Sequence, residues 1–429
     1  MRVCFLAHEL GRGGGVNTIL SYARALNARE GWEARIVLTG GPPADQPAAA
    51  REVPVSRLGD QPLPECELAI ATWWATAGHL WEVPARRRIV FLQSIENRFY
   101  EERHFFERFA AEQVLTLPVH FVTVAGWIRD ALAELRPDVR CEVVRNGIDK
   151  DVFSPAARER RDGPLRVLVE GQPSMWFKGV EQAVSAVQSM SEPAELTVVA
   201  PDPRQTGAID GARVVGGLEP PGMAALYAEH DVLVKLSRVE SLGLAPIEAF
   251  HVGVPALVAP YTGHEEYMAH ATNGLVVGFD DQPGTVRALD RLARDRDLLA
   301  RLSRGALETA AAWPSAGDSE AAFASALERL AEQPEPEPGP ALAHLQRAHR
   351  RWLELSREHA RELEQARGAV RWYQRALAES RAHTEELNAA LRDADEQLVD
   401  ATRRIEEIKA TRAYRAAVAA RQVIRRRPG

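Results

Sequence analysis

Short apolar runs alternate with helix-like stretches over the first 155 residues. Residues 3–7 form a continuous apolar run, which is typical of a buried strand, and residues 16–28 repeat apolar side chains at the helical spacing. The same patterns predict four more strands and one more helix, namely strands 34–38, 68–72, 89–92 and 121–125 and helix 127–135. This alternation favours a doubly wound α/β domain, in which ligands approach the carboxyl ends of parallel strands.

The alternation starts again after a charged segment at residues 158–163. It predicts strands 165–170, 196–200, 214–215, 232–236, 256–259 and 275–277, and helices 180–190, 223–229, 283–312 and a last one that ends at residue 330. Two such domains in series, residues 1–155 and 156–331, place a cleft between the carboxyl ends of their sheets. The predicted fold class is therefore α/β, with two domains that face a central cleft.

A different pattern follows a Pro- and Glu-rich linker at residues 332–340, whose composition favours an extended chain. Between residues 341 and 415, one mostly apolar series recurs every seven residues from Leu363 to Ile405. A second series, three residues later, runs from Ala366 to Ile408. These are the a and d positions of a coiled coil, so we expect a homo-oligomer. One helix that packs back on the domains is the alternative.

The last segment, residues 416–429, is a basic tail. From Lys409 to the last residue the sequence has seven basic residues and no acidic one. A basic amphipathic end can bind an anionic membrane surface, and a solvated tail is the alternative.

Composition narrows the function classes. The 429 residues carry a formal net charge of −7, which gives no general affinity for nucleic acid. Three scattered cysteines argue against a disulfide framework and match no metal-ligand spacing; they are Cys4, Cys66 and Cys141. The N-terminal apolar run is too short for a signal peptide, and we expect no membrane-spanning segment. These features predict a cytoplasmic protein that could still touch a membrane surface.

Candidate chemistry is concentrated in residues 239–250. Glu240 and Glu248 flank a glycine-bearing turn that opens a predicted helix. The free N–H groups and positive dipole end of such a helix suit a phosphate, and the two carboxylates could hold sugar hydroxyls on either side. A solvated acid followed by an acid in the first turn of a helix is the plain alternative.

A second glycine-rich loop, residues 11–15, follows the first strand. It lacks the Gly-x-Gly-x-x-Gly spacing and the downstream acid of a nicotinamide site. Its glycines would let a ligand approach the backbone closely, and a plain strand–helix turn is the alternative.

Several motifs occur together, in one order, from residue 146 onward. They are Asn146-Gly147-Ile148-Asp149, Lys178-Gly179, Glu240-Ser241-Leu242-Gly243-Leu244 with Glu248, Gly253-x-Pro255, Gly263-x-x-Glu266 and Asn273-Gly274-Leu275. This order closely resembles that of the retaining glycosyltransferases of family 4, which have two Rossmann-like domains (the GT-B fold). The resemblance covers about residues 1 to 330 and is stronger in the second domain.

The resemblance implies a nucleotide-sugar donor site. Lys178 would pair with the donor diphosphate, Glu248 would hold the ribose hydroxyls, and Glu240 would face the donor sugar as a catalytic residue. Further donor contacts would come from Ser241, Leu242, Gly243, Leu244, Gly14, Gly15, Gln172 and Asn146. The family transfers sugars with retention by a front-face displacement. No metal or other cofactor is implied, because a lysine and helix ends neutralise the leaving group.

Two positions depart from the family pattern. Gln172 stands where the family usually has an arginine, six residues before Lys178, and Gln93 stands where it usually has a pocket histidine. Gln93 remains a candidate catalytic residue, since its amide can bond a sugar hydroxyl without carrying charge. Together with Thr72-Trp73-Trp74 it also resembles rhamnosyltransferases, so a deoxysugar donor such as dTDP-rhamnose is one option.

The sequence leads to three hypotheses. The first is a glycosyltransferase that uses a glycan or lipid-linked acceptor in cell-surface polysaccharide synthesis, because the coiled coil and basic ending resemble extensions on bacterial enzymes of that kind. The second is a catalytically degenerate scaffold that binds a nucleotide sugar and assembles partners, and Gln93 and Gln172 motivate it. The third, a sugar-nucleotide epimerase, fits the Glu240–Glu248 spacing less well. His8 and His120 are further polar candidates, although a single histidine is more often structural.

Overall fold

The structure is a computed structural model that describes residues 1–11, 13–40, 48–155, 163–202, 206–336, 341–410 and 415–417. The chain divides into two compact units, Met1–His349 and Arg350–Gly429. The last four residues of the predicted linker, nearly all of the predicted basic tail and most of the charged segment 158–163 lie outside the described residues.

The first sheet of the first unit has seven strands, which are Arg2–Ala7 (β1), Glu33–Leu38 (β2), Val55–Arg57 (β3), Cys66–Ala71 (β4), Ala85–Leu92 (β5), His120–Thr123 (β6) and Cys141–Val143 (β7). Their order is β3-β2-β1-β4-β5-β6-β7, and every pairing is parallel. Strand β1 is buried from Val3 to Ala7, because a parallel sheet is covered on both faces. The apolar pattern misses β3 and β7, which are short outer strands without a buried residue.

Four helices accompany this sheet, namely Gly14–Asn27 (α1), Trp74–Ala77 (α2), Phe105–Gln113 (α3) and Gly126–Leu135 (α4). Helix α1 buries Ile19, Leu20, Ala23 and Leu26, the face that the helical spacing predicts. The sequence pattern does not predict α3, whose three phenylalanines are exposed while its buried residues are the small Ala110 and Ala111.

The second sheet has six parallel strands, which are Leu165–Glu170 (β8), Ala194–Ala200 (β9), Ala212–Gly216 (β10), Val232–Lys235 (β11), Ala256–Val258 (β12) and Gly274–Val276 (β13). Their order is β10-β9-β8-β11-β12-β13. Each strand lies where the apolar pattern predicts one, with ends that shift by one or two residues. The prediction of two successive α/β domains is confirmed.

The helices of this region are Val180–Gln188 (α5), Pro220–Ala228 (α6), Leu244–His251 (α7), Gln282–Arg294 (α8), Arg296–Ala312 (α9) and Ala316–Ala331 (α10). The prediction of one continuous helix over residues 283–312 is wrong. Asp295 leaves the helical backbone conformation, and its side chain accepts the N–H of Leu298 as the N-cap of α9. The chain therefore makes two helices with a turn at Asp295.

Helix α10 returns to the first sheet. The ring of Phe323 stacks on Tyr22 of α1 with ring centroids 4.1 Å apart, and it also contacts Phe91 of β5. The hydroxyls of Ser319 and Tyr22 lie 2.8 Å apart. The chain passes from the first sheet to the second near Ile148 and returns to the first near Ser315. A backbone bridge between these two residues places the two connections side by side.

Helix Ala341–Ala410 (α11), 70 residues long, makes up most of the described part of the second unit. Large apolar side chains are exposed along it at the predicted a positions, among them Val370, Leu377, Leu391, Leu398 and Ile405. A long helix is thus present in the predicted segment, and its pairing into a coiled coil stays a prediction.

The described helices include none whose length and apolar character would let it cross a lipid bilayer.

Candidate active site

A cavity of about 730 Å³ lies between the two sheets of the first unit. From one side it is lined by residues that follow β1, β4 and β5, and from the other by the ends of β8 and β11 and the start of α7. Parallel α/β sheets bind ligands at these carboxyl edges. All of the predicted site residues except Gln172 line this cavity.

Glu240 is the centre of a charged cluster in the cavity wall. Its Oε1 atom accepts hydrogen bonds from Lys178 Nζ at 2.9 Å, Lys235 Nζ at 3.0 Å and Ser237 Oγ at 2.9 Å. Burial of the carboxyl opposes its ionisation, but the charges of the two lysines outweigh burial and lower the pKa of Glu240 to about 2. Glu240 is therefore a carboxylate at neutral pH.

Lys235 is a second cation that the sequence analysis did not single out. It ends β11, its side chain is 2% exposed, and it is hydrogen-bonded to Glu170 at the end of the neighbouring β8 as well as to Glu240. Burial alone would lower the pKa of Lys235, and the two carboxylates raise it instead. The sequence does carry a signal for this pair, since a charged residue follows an apolar run at the end of both strands, Val167–Val169 before Glu170 and Val232–Val234 before Lys235.

Glu248 lies one helical turn into α7. Its Oε2 accepts the hydroxyl of the buried Tyr227 at 3.0 Å. Burial raises the pKa of Glu248 to about 7, with a smaller contribution from the charge of Glu170, while the bond from Tyr227 works in the opposite direction. Glu240 and Glu248 therefore differ in charge state because only Glu240 sits directly between two lysines.

The start of α7 is shaped by Gly243. Its backbone is left-handed, with φ of 79°, and a Cβ there would lie 2.7 Å from the hydroxyl oxygen of Tyr261. The segment 241–244 lines the cavity, and the carbonyl of Ser241 accepts the indole N–H of Trp127 at 2.6 Å. Because Trp127 belongs to α4 of the first domain, this bond joins the two domains beside the helix N-terminus.

Gln93 and the N-terminal glycines meet on the opposite wall. Helix α1 begins at Gly14, and a Cβ on Gly15 would lie 3.1 Å from Oε1 of Gln93. Glycine at this position therefore leaves room for the Gln93 amide, whose Nε2 is 3.5 Å from the carbonyl of Thr72. Hydrogen-bonding side chains therefore line the cavity on both of its walls.

Gln172 is the predicted site residue that the structure does not bring to the cavity. It is buried, its Oε1 accepts the N–H of Asp202 at 3.3 Å, and its Nε2 lies 3.5 Å from the hydroxyl of Thr206. These bonds tie the loop after β9 to the loop after β8. Asn146, by contrast, lines the cavity, and its Oδ1 has no hydrogen-bond partner within the described part of the chain.

The two candidate histidines occupy different places. His8 lines the cavity in edge contact with Trp73, and burial lowers its pKa. His120 is buried in β6, where its ring nitrogens bond the carbonyl of Pro334 and the N–H of Arg140. His120 therefore has a structural role.

Glu96 is a buried carboxyl on the first-domain wall that sequence reasoning missed. Its Oε2 accepts the backbone N–H of Trp74 at 2.6 Å. Burial raises the pKa of Glu96 to about 8, and the bond from Trp74 offsets only part of that effect. A buried carboxyl without a neighbouring cation prefers its neutral form.

Among the described residues, no group of three or more His, Cys, Asp or Glu side chains could hold a metal ion.

The sequence is similar to those of known proteins. Residues 202–309 match the family model Glycosyl transferases group 1. The chain is 27% identical over 232 residues to the glycogen synthase of Mycobacterium tuberculosis, covering 50% of this chain and 56% of that protein. It is 28% identical over 305 residues to the D-inositol 3-phosphate glycosyltransferase of Stackebrandtia nassauensis, covering 62% of this chain and 68% of that protein. The chain thus spans little more than half the length of the mycobacterial relative.

Solved structures of other proteins share the fold. Sucrose-phosphate synthase from Thermosynechococcus elongatus superposes with a TM-score of 0.64 at 17% identity, over 77% of this chain and 98% of that one. Anabaena HepE in complex with UDP-glucose superposes with a TM-score of 0.62 at 16% identity, over 77% of this chain and all of that one.

The two Rossmann-like domains are therefore those of a GT-B fold. The residues that match the group 1 family model lie within the second of these domains.

Proposed function

We propose that the chain is a glycosyltransferase that moves a sugar from a nucleotide-sugar donor to a glycan or lipid-linked acceptor, with retention of the anomeric configuration. The observation that carries the proposal is the placement of Lys178, Glu240 and Glu248 at the carboxyl edge of the second sheet, across one cavity from Gln93. The group 1 match in the same domain and the sugar-transferring relatives support it.

In this proposal the second domain binds the donor. Lys178 Nζ turns to the diphosphate, and the N-terminus of α7 adds backbone N–H groups and a positive dipole end. The carboxyl of Glu248 accepts the ribose hydroxyls, and the carboxylate of Glu240 faces the sugar. The structural neighbour HepE was crystallised with UDP-glucose, which supports a donor of this chemical class.

The first domain supplies the acceptor side. Gln93 and the start of α1 face the donor groups across the cavity, so an acceptor hydroxyl that enters between the walls meets the donor sugar. The leaving diphosphate is neutralised by Lys178 and the helix N-terminus, a route that needs no metal ion. Retention follows if the hydroxyl attacks from the side on which the diphosphate departs.

The cellular setting belongs to the proposal as well. We place the enzyme in the cytoplasm, at the inner face of the membrane, in the synthesis of a cell-surface polysaccharide. The exposed apolar series of α11 supports a homo-oligomer, because apolar side chains at heptad spacing gain stability by packing against a second helix.

A donor panel tests the function. UDP-, GDP- and dTDP-sugars are offered to the wild type, to Lys178→Ala and to Glu248→Ala, and the released nucleoside diphosphate is measured. We expect turnover of one donor and a loss of about 10²-fold or more in either variant, since each removes a group that contacts the donor. Glu181→Ala, an exposed acid on α5 outside the cavity, is the control and should retain wild-type turnover.

Two other outcomes decide against this assignment. Turnover that survives both substitutions would overturn the site. A donor that binds the wild type without being turned over would favour the scaffold hypothesis, which the position of Gln172 also favours because its side chain faces away from the cavity.

A further inference from the structure

The carboxylate of Glu240 has two lysine partners, although one cation would suffice to neutralise it. Lys178 and Lys235 both bond the same oxygen, Oε1, at 2.9 Å and 3.0 Å. The proposed function requires Lys178 to bind the donor diphosphate, so the bond between Lys178 and Glu240 has to weaken when a donor binds.

The two lysines are held very differently. Lys178 ends a short 3-10 turn, Trp176–Lys178, and its side chain is 21% exposed. Lys235 ends β11, a strand flanked by β8 and β12, and its side chain is 2% exposed. Lys178 therefore has the freedom to turn toward a ligand, whereas Lys235 is held beside Glu240 in the cavity wall.

Glu240 itself cannot readily lose both partners. Its side chain is only 12% exposed, and a buried carboxylate left without a cation is strongly unfavourable. If Lys178 were the only partner, donor binding would have to overcome that penalty, and the affinity for the diphosphate would fall.

On the basis of the proposed function, we propose that Lys235 is a positioning residue, which holds the Glu240 carboxylate in place when Lys178 leaves it for the donor diphosphate. Glu170 completes the arrangement. It ends β8, directly beside β11, and its carboxylate binds the same ammonium group. Lys235 is thus anchored between two carboxylates and remains charged in a buried position.

The experiment compares nucleoside diphosphates with nucleosides. Binding of UDP, GDP and dTDP, and of uridine, guanosine and thymidine, is measured by calorimetry for the wild type and for Glu170→Gln/Lys235→Gln. This double variant removes both charges and keeps two amides that can bond each other. We expect its diphosphate affinity to fall by about tenfold or more, while nucleoside affinity changes by less than about twofold, because only the phosphates need Lys178.

Two further variants guard against a folding artefact. Glu170→Leu/Lys235→Met replaces the pair by apolar side chains of similar volume and should show the same selective loss, with a melting temperature close to wild type. Arg166→Met disrupts the Arg166–Asp231 ion pair at the opposite end of β8, where Arg166 Nη2 lies 2.7 Å from Asp231 Oδ1, and should leave diphosphate affinity unchanged.

If the double variants fold and bind the diphosphates with wild-type affinity, Lys235 does not have the proposed role. An equal loss of nucleoside and diphosphate affinity would overturn it as well, since a general distortion would then explain the effect. A wild-type protein that binds none of the diphosphates would instead overturn the proposed function.

Discussion

Single residues in the cavity wall owe their charge state to their immediate neighbours. Glu240 and Glu248 lie eight positions apart in the chain and line the same cavity. The lysines beside Glu240 hold its pKa near 2, and burial beside Tyr227 lifts the pKa of Glu248 to about 7. Two identical side chains thus differ in proton affinity because one contacts cations and the other a neutral hydroxyl.

Glu96 allows a test of this principle outside the proposed donor site. Burial raises the pKa of its carboxyl to about 8, from an ordinary value of 4.5. Between these pH values the folded protein keeps a proton that the unfolded chain releases, so the free energy of unfolding falls as pH rises. Glu96→Gln cannot ionise and keeps an oxygen for the Trp74 N–H. We expect it to exceed the wild type in stability by about 4–5 kcal/mol at about pH 9, and by less than about 0.5 kcal/mol near pH 4.5.

Urea denaturation of both proteins across this pH range measures the difference. Glu102→Gln, at an exposed position nearby, is the control and should differ from the wild type in stability by less than about 0.5 kcal/mol. If the difference in free energy of unfolding between Glu96→Gln and the wild type stays constant with pH, the pKa of the Glu96 carboxyl is not raised.

At the scale of elements, α7 is the helix that connects the fold to the proposed chemistry. Its first residues line the cavity, Glu248 projects from its second turn, and Gly243 sets its entry angle. The left-handed backbone of Gly243 and the nearby ring of Tyr261 both exclude a side chain there.

We expect Gly243→Ala to lower the free energy of unfolding by about 2–4 kcal/mol, from backbone strain and from crowding of the buried Tyr261. A shifted start of α7 should also weaken diphosphate binding. Gly222→Ala in α6 is the matched control: the nearest atom to a Cβ there is Cδ2 of Leu218, at an ordinary contact distance of 3.5 Å, and alanine favours a helix by about 0.5–1 kcal/mol. Urea denaturation compares the two variants, and a Gly243→Ala protein as stable as wild type would contradict the account of this turn.

Helix α11 carries a second prediction at this scale. Leu391 and Leu398 are exposed at successive a positions. If they form the seam of a coiled coil, Leu391→Glu/Leu398→Glu should lower the oligomeric mass, because charges at a positions oppose helix pairing. Light scattering measures the mass. Glu396→Lys, at an outward f position, is the control, and an oligomeric mass that survives the double substitution would refute the predicted seam.

At the scale of the whole first unit, the chain crosses between the two sheets twice. Helix α10 comes last in the unit, yet its aromatic and hydroxyl groups pack on α1 and β5 of the first domain. The first domain therefore completes its core with a helix that follows the second domain in sequence.

Phe323 is the residue that tests this arrangement. Its side chain is fully buried against Tyr22, Phe91 and Phe5, so Phe323→Ala should cost about 3–5 kcal/mol of stability. Phe279→Ala is the matched control, because Phe279 is 45% exposed and its truncation should cost less than about 1 kcal/mol. Chemical denaturation followed by Trp fluorescence measures both. Equal effects of the two substitutions would show that α10 adds little to the first domain.

Much of the architecture was already determined by the sequence. Apart from β3 and β7, the strands of both sheets follow mainly apolar runs, and α1 and α5 follow the helical repeat, because periodicity and burial act within one element. Glu240, Glu248 and the glycine turn were found by their spacing along the chain, for the same local reason, whereas Lys178 was found by the resemblance to a family motif. The elements that were missed carry little such signal: β3 and β7 are short and bury no residue, and α3 buries only two alanines.

Only the tertiary structure decided which of these groups meet. The ion pair between Glu170 and Lys235 exists because β8 and β11 are neighbours in the sheet, although the two residues are 65 positions apart in the chain. The side chain of Gln172 turns to the loop after β9 and that of Lys178 to Glu240, which their spacing alone could not distinguish. Strand order and side-chain direction depend on packing across the whole domain, and local pattern carries no information about them.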